Sequence, residues 1–400
     1  MAIEDDEPRD REVWSNVAKF WYNKASDKCP NVGRLYHHLA ILARPYTLEQ
    51  LSLYRRSLTC VISFESAKSS IMTLFNPVLQ SKDVTQRRPS SFETVFIKAH
   101  AISFASKPMD SPEQFNTTVD ELEKQDLLAK CITRTGAGFK QIGAYAAISN
   151  IAALFENGFA TDGISKSKLR LAYEDTQMIK EEGKRSAAAN SSDSVNLPPS
   201  TGPPNTGFDH NAPSGNTDSD ISVSQPSKLA SVTLNICLKR PEDSNVYPLV
   251  HLYLGFLWSL IIVMETCKYF EQDTFLKTIE KDIPWASVCL FLNTLALDPQ
   301  AMTSRTRHEE FPRPVKDEGR PLPEDFIMRG QLYTQWYFPP DWFTAFMADD
   351  DERSHDMPSM AQPRKERMLW LGLRIAFVRL TTVMLRFSLT FSSGQPMDML

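Results

Sequence analysis

The 400 residues are most informative first for what they do not contain. No Walker loop, GxGxxG or GxSxG is present, so neither a phosphate-cradling glycine loop nor a nucleophile elbow is supported. Six cysteines (Cys29, Cys60, Cys131, Cys237, Cys267 and Cys289) are scattered without CxxC or Cys/His ligand spacing. That pattern implies neither a zinc site nor a disulfide framework, and it fits a reduced, intracellular setting. The first residues, MAIEDDEPRD, are acidic and hold no secretory apolar core. Basic residues are not in excess: Lys plus Arg number 44 against 49 Asp plus Glu, a formal charge of −5. Any nucleic-acid contact must therefore come from a local patch. Long apolar runs are scarce as well. The longest, Leu249 to Met264, falls short of the roughly 20 residues that a bilayer requires. It also carries His251 and is followed at once by Glu265, so a buried core helix is expected. Alternating strand patterns are almost missing.

Helical periodicity is what the chain does contain. Val13, Trp14, Val17, Ala18, Trp21 and Ala25 recur at three- and four-residue steps, which predicts a helix packing through that face. Pro30-Asn31 and Gly33 stop it and turn the chain. Leu35, Leu39 and Leu42 form a second stripe, ended by Pro45. Thr47 and Gln50 then read as a capping box for a third helix with Leu51, Tyr54 and Leu58 on its face. Phe64, Ala67, Ile71, Leu74 and Phe75 give a fourth. Ala25 with Pro30 has the closing spacing of a tetratricopeptide unit, and Ala40 is a small residue where such helices cross. No second copy repeats the full pattern.

The segment Trp21 to Phe75 resembles the signature block of the ever-shorter-telomeres/SMG family, which includes a telomerase subunit and nonsense-mediated decay adaptors. The matching elements are Tyr22, Ala25, Pro30 and Gly33, followed by the run from Tyr36 to Ala43. Tyr54-Arg55-Arg56-Ser57-Leu58, Phe64 and Ala67 complete the block. The run SNIAALFENG resembles fungal members, and the blocks at Tyr247–His251, Ile283–Trp285 through Phe291–Asn293, Leu322–Phe326 with Arg329-Gly330, and Arg367–Gly372 are similar to family blocks. The resemblance implies an all-α fold of TPR-like and 14-3-3-like antiparallel hairpins forming an α-solenoid.

Composition then divides the chain. Residues 1–12 are charged and expected to be disordered, and 13–180 form the TPR-like hairpins. Residues 181–228 are rich in Ser, Asn, Pro, Gly and Asp. Such a tract cannot bury enough apolar surface to offset an ordering entropy of about 1–2 kcal/mol per residue, so a disordered insertion is expected. Residues 229–390 form a C-terminal helical hairpin domain.

No catalytic constellation emerges. His37 and His38 are adjacent, so on a helix they point about 100° apart and cannot share one metal. One is expected to pack and hydrogen-bond while the other faces solvent. Asp349-Asp350-Asp351-Glu352 is a contiguous run in a loop, whereas a metal-dependent nuclease draws its carboxylates from separate elements. The chain is therefore read as non-enzymatic, without metal or cofactor.

Binding is the remaining activity. The resemblance implies a phosphopeptide groove whose basic residues lie mostly on helices before the block, about one helix of which is present. Lys19, Lys24, Arg55 and Arg56 are the nearest basic candidates. A second basic surface is expected on a helix from Arg364 to Arg386, with Leu369, Trp370, Leu373, Ala376, Phe377 and Leu380 on the apolar face. Arg364, Arg367, Arg374, Arg379 and Arg386 would lie opposite, and residues 361–400 hold six basic side chains against two acidic ones. The expected function is a helical scaffold of nonsense-mediated decay or telomere-associated type. By resemblance, its partners would be proteins, phosphoproteins among them, and RNA or single-stranded DNA, with no membrane, in nucleus and cytoplasm. The alternative is a purely structural scaffold that has lost both kinds of contact.

Overall fold

Gly33 fixes the first hairpin. The computed structural model describes residues 8–44, 46–80, 91–105, 112–155, 164–190, 218–266, 274–313, 321–343 and 356–377. Helix α1 (Pro8–Lys28) is followed by a turn and α2 (Gly33–Leu42), then α3 (Thr47–Thr59). The Gly33 amide donates to the Ile62 carbonyl at 2.8 Å. A Cβ on Gly33 would lie 2.3 Å from the Ser57 carbonyl oxygen, so only glycine lets α2 begin this close to the end of α3.

The chain continues helix by helix. α4 (Ala67–Gln80), α5 (Phe92–Ala105), α6 (Pro112–Lys124) and α7 (Leu127–Thr135) each pack on their predecessor, as α2 packs on α1 and α3 on α2. α8 (Phe139–Phe155), α9 (Ile164–Asn190), α10 (Asp218–Leu238) and α11 (Tyr247–Thr266) follow. The last elements are α12 (Thr274–Asp282), α13 (Trp285–Ala296), the short α14 (Ser304–Arg307) and α15 (Pro323–Met328), and α16 (Ala361–Phe377). Among the described residues there is no strand, only isolated bridges between Val32 and Ile62 and between Cys60 and Gln331. The fold is all-α and solenoid-like, as expected.

A central column crosses the hairpin stack: α3 packs on α8, α8 on α11, and α11 on α16. Consequently α3 is buried on every side from Gln50 to Thr59, and α8 from Ala146 to Phe155. A helix enclosed all round carries apolar or paired side chains on all faces. One continuous core joins the first and last parts of the chain, from Tyr36 and Leu58 through Phe155 and Phe256 to Trp370.

Three expectations about boundaries change. Helix α1 starts at Pro8, inside the span read as disordered. The polar tract is helical at both ends, through Asn190 and from Asp218, and Val223 and Ser227 are buried. Residues 191–217 lie outside the described residues. Composition alone missed these ends because a few apolar side chains suffice to dock a helix made mostly of polar ones. The apolar run at Leu249 is part of a helix of 20 residues, so length does not exclude a membrane span after all. Burial decides instead: 89% of its apolar window is covered by the rest of the protein.

Candidate functional site

Helices α1, α2 and α3 form one wall of an open cleft of about 700 Å³. The start of α8 forms the facing wall, and α15 with Arg329 lies along the floor. Gly330 makes this closure possible. At φ +82° it approaches the turn before α2 so tightly that a Cβ would stand 1.9 Å from the Pro30 carbonyl oxygen. Its own carbonyl accepts from the Val61 amide at 3.3 Å. Buried hydrogen bonds from Thr59 to the Gln331 side chain and from Gln331 to the Arg56 carbonyl tie the same segment to α3.

Five cations and four carboxylates line the cleft, and most neutralise one another. Lys19 meets Glu49 at 3.2 Å. Lys140 pairs with Asp356. Arg364 donates to both oxygens of Glu324, at 2.6 and 3.0 Å, and to Asp356 at 2.7 Å. Two guanidinium groups remain without a carboxylate partner among the described residues. Arg56 lies 4.0 Å over the Tyr36 ring and donates to the Phe326 carbonyl at 3.2 Å. Arg329 lies 4.5 Å over the Phe343 ring, and burial lowers its pKa. Both act on the Tyr36 hydroxyl, which donates to the Pro30 carbonyl at 3.0 Å. Burial pushes that hydroxyl up to about 12, against the pull of the two arginines, so it stays protonated. Two arginines beside a neutral phenol bring together donors of the type that pair with anionic oxygens.

Phe20 is the α1 aromatic that lines the cleft. Phe20 and Trp21 stand edge to face at 5.4 Å and are 44% and 63% exposed, and Trp14 is exposed as well. Lys24 lies 4.6 Å over the Phe20 ring. This corrects the face assigned to α1. Ala18, Tyr22 and Ala25 are partly covered, while Val13, Trp14, Val17 and Trp21 face outward. The helix is apolar around so much of its girth that periodicity did not select the covered side.

The other candidates fall in different places. Arg55 is buried, 5.0 Å over the Phe104 ring, and lies away from the cleft. Among the described residues the arginines expected to form a basic surface on the last helix are covered or paired instead. Arg364 and Arg367 are interior residues, 1% and 4% exposed. Arg367 stacks 3.9 Å over Phe311 and faces Asp325 at 3.8 Å. Arg374 bonds to the Arg307 carbonyl at 3.0 Å and meets Glu309 at 3.9 Å. Arg379 and Arg386 lie outside the described residues. α16 packs on α11, α13 and α14, so its polar side was covered by carboxylates distant in sequence, which helical spacing cannot reveal.

Sequence reasoning missed the group beneath the cleft. Glu324 is fully buried and meets His251 Nδ1 at 3.0 Å as well as Arg364, while His251 Nε2 lies 3.3 Å from the Tyr337 hydroxyl. Burial alone would raise the Glu324 pKa, but Arg364 and His251 hold it far below the usual carboxylate range. The only signal was that His251 and Glu324 each sit in a family-like block. His37 packs and bonds to Ser70 at 2.9 Å, whereas His38 stacks on Tyr22 at 5.0 Å and is partly exposed. Among the described residues no group of three or more His, Cys, Asp or Glu is placed to hold a metal.

An all-α hairpin stack with an arginine-bearing cleft is the class of protein that these observations define. Residues 18–135 match the family model of the Est1 DNA/RNA binding domain, and the ever-shorter-telomeres/SMG resemblance read from the sequence holds over that segment. The chain is also similar to the telomerase-binding protein EST1A of Danio rerio, with 36% identity over 96 residues, 22% of this chain and 6% of that protein. The family-model segment, residues 18–135, contains Lys19, Lys24, Tyr36, Arg55 and Arg56. The opposing wall and Arg329 lie outside it.

Proposed function

We propose that this chain is a non-enzymatic helical scaffold of telomere-associated or nonsense-mediated decay type. It binds RNA or single-stranded DNA in the α1–α3 cleft and works with protein partners in the nucleus and cytoplasm. The observation that carries this reading is the pair Arg56 and Arg329, two guanidiniums with no carboxylate partner among the described residues, flanking Tyr36 in a cleft that Phe20 also lines. Arginines take phosphate oxygens, and Trp14, Phe20 and Trp21 offer faces on which unpaired bases stack, a sequence-tolerant combination.

The test is fluorescence anisotropy with single-stranded RNA and DNA oligonucleotides across a salt series. Binding should weaken with salt, with a logarithmic slope of about −0.7 per phosphate neutralised. Arg329→Gln should lessen that slope by about one phosphate. A wild-type protein that binds neither oligonucleotide at low salt would favour the rival reading. In that reading the internal pairing of Lys19, Lys140 and Arg364 marks a scaffold whose charges serve the fold alone.

A further inference from the structure

Lys140 and Asp356 meet on the wall of the cleft that faces α1–α3. Lys140 is the second residue of α8, and Ala137, Gly138 and Gln141 line the cleft beside it. Asp356 lies in no helix, just ahead of the short turn Pro358–Met360 that leads into α16. Its carboxylate accepts from Lys140 and, through Oδ1 at 2.7 Å, from Arg364 Nη2. Arg364 is already engaged, because Glu324 takes its Nε at 2.6 Å and the same Nη2 at 3.0 Å. A guanidinium with one bidentate carboxylate has the partner that its burial demands. Asp356 is thus a second carboxylate on the same nitrogen, where it repels Glu324 and is offset by Lys140. The side chains of Asp356 and Lys140 are 16% and 22% exposed, whereas those of Arg364 and Glu324 are 1% exposed. The inner pair is sealed, and the outer pair reaches solvent.

We propose that Lys140 and Arg364 Nη2 form a second phosphate site in the cleft, which Asp356 fills until the backbone of single-stranded RNA or DNA displaces it. The inference rests on the reading of the cleft as a nucleic-acid site. A phosphodiester, like the Asp356 side chain, spreads one negative charge over two oxygens, so the exchange keeps the charge of the group and its charge-assisted hydrogen bonds. The macrodipole of α8 favours an anion near its first turn, carboxylate or phosphate alike. Asp356 is then an internal competitor of the ligand. Its loss should strengthen binding, the opposite of what a purely structural ion pair predicts.

A double-mutant cycle on the full chain tests this, with the anisotropy of a fluorescent single-stranded RNA read across a salt series. Asp356→Asn should bind about tenfold tighter at low salt, the scale of one charge-assisted hydrogen bond. Its logarithmic salt slope should steepen by up to about 0.7, one further phosphate on a single strand. In that background Lys140→Gln should cost about tenfold and move the slope back toward wild type, and its cost in the wild-type background should be smaller. Arg364 keeps Glu324 in every variant, so the melts should be nearly unchanged; a sharply lower melt in Asp356→Asn would make the outer pair structural and overturn the proposal. If the wild type binds and Asp356→Asn binds no tighter, or tightens equally when combined with Lys140→Gln, the second site is wrong while the reading of the cleft stands. If neither the wild type nor Asp356→Asn binds the RNA, that reading falls and the second site falls with it.

Discussion

Gly330 and Pro30 are in backbone contact, although they lie 300 residues apart: a Cβ on the first would stand 1.9 Å from the carbonyl oxygen of the second. Through this contact the floor of the cleft is carried by a segment outside the matched domain. Gly330→Ala must find room against backbone and hold a non-glycine residue at φ +82°. Such conformations cost of order 1–3 kcal/mol before any clash is counted. Chemical denaturation should show a loss at or above that range, together with weaker oligonucleotide binding.

Breaking the buried pair under the cleft should cost more. Glu324→Gln leaves the Arg364 guanidinium with Asp356 as its remaining carboxylate, and removing one member of a buried pair costs about 3–5 kcal/mol. The measured fall in unfolding free energy should lie near that range. A change within about 0.5 kcal/mol, typical of surface substitutions, would mean that the pair is solvated.

The same carboxylate makes stability depend on pH in a definite direction. Its folded-state pKa lies below its unfolded-state value of about 4.3. The charged pair therefore contributes fully above that value, and its contribution is lost as pH falls from there toward the folded-state pKa. Unfolding free energy measured from about pH 6 down to about pH 3 should decline at the acid end. The decline should be shallower in Glu324→Gln, and equal slopes would contradict the assignment.

Trp21 separates folding from binding. Because it is 63% exposed, Trp21→Ser should leave the melt within about 0.5 kcal/mol of wild type. If Trp21 stacks on a base, oligonucleotide affinity should fall by about 1–3 kcal/mol. A large loss of stability would instead place the side chain in the core.

How far the sequence could be read follows from how each helix is covered. Where one side packs and the other is wet, spacing identified the core correctly: Leu39, Ala40, Ala67 and Ile71 are all buried. It misassigned α1, whose outward Trp14 and Trp21 satisfy the same periodicity as a packed face. It also failed on α16, because the side that carries Arg364 and Arg367 is covered by the rest of the protein. Arg364 and Arg367 became interior only when Glu324, Asp325 and Asp356 were brought to them by folding. Of the cleft's two principal arginines, Arg56 stood in the recognised block and was singled out. Arg329 belongs to a family-like block, but no local sequence signal marks it as a site, since only folding brings it to Tyr36.

The central claim is that nucleic acid lies in the α1–α3 cleft. Photo-crosslinking of the full chain to single-stranded RNA carrying 4-thiouridine, followed by peptide mapping, tests it most directly. The account predicts adducts on peptides spanning Trp14 to Tyr36 and on the segment around Arg329, lost at high salt and diminished in Arg329→Gln. Adducts confined to residues 361–400, or none under conditions where binding is measured, would contradict it.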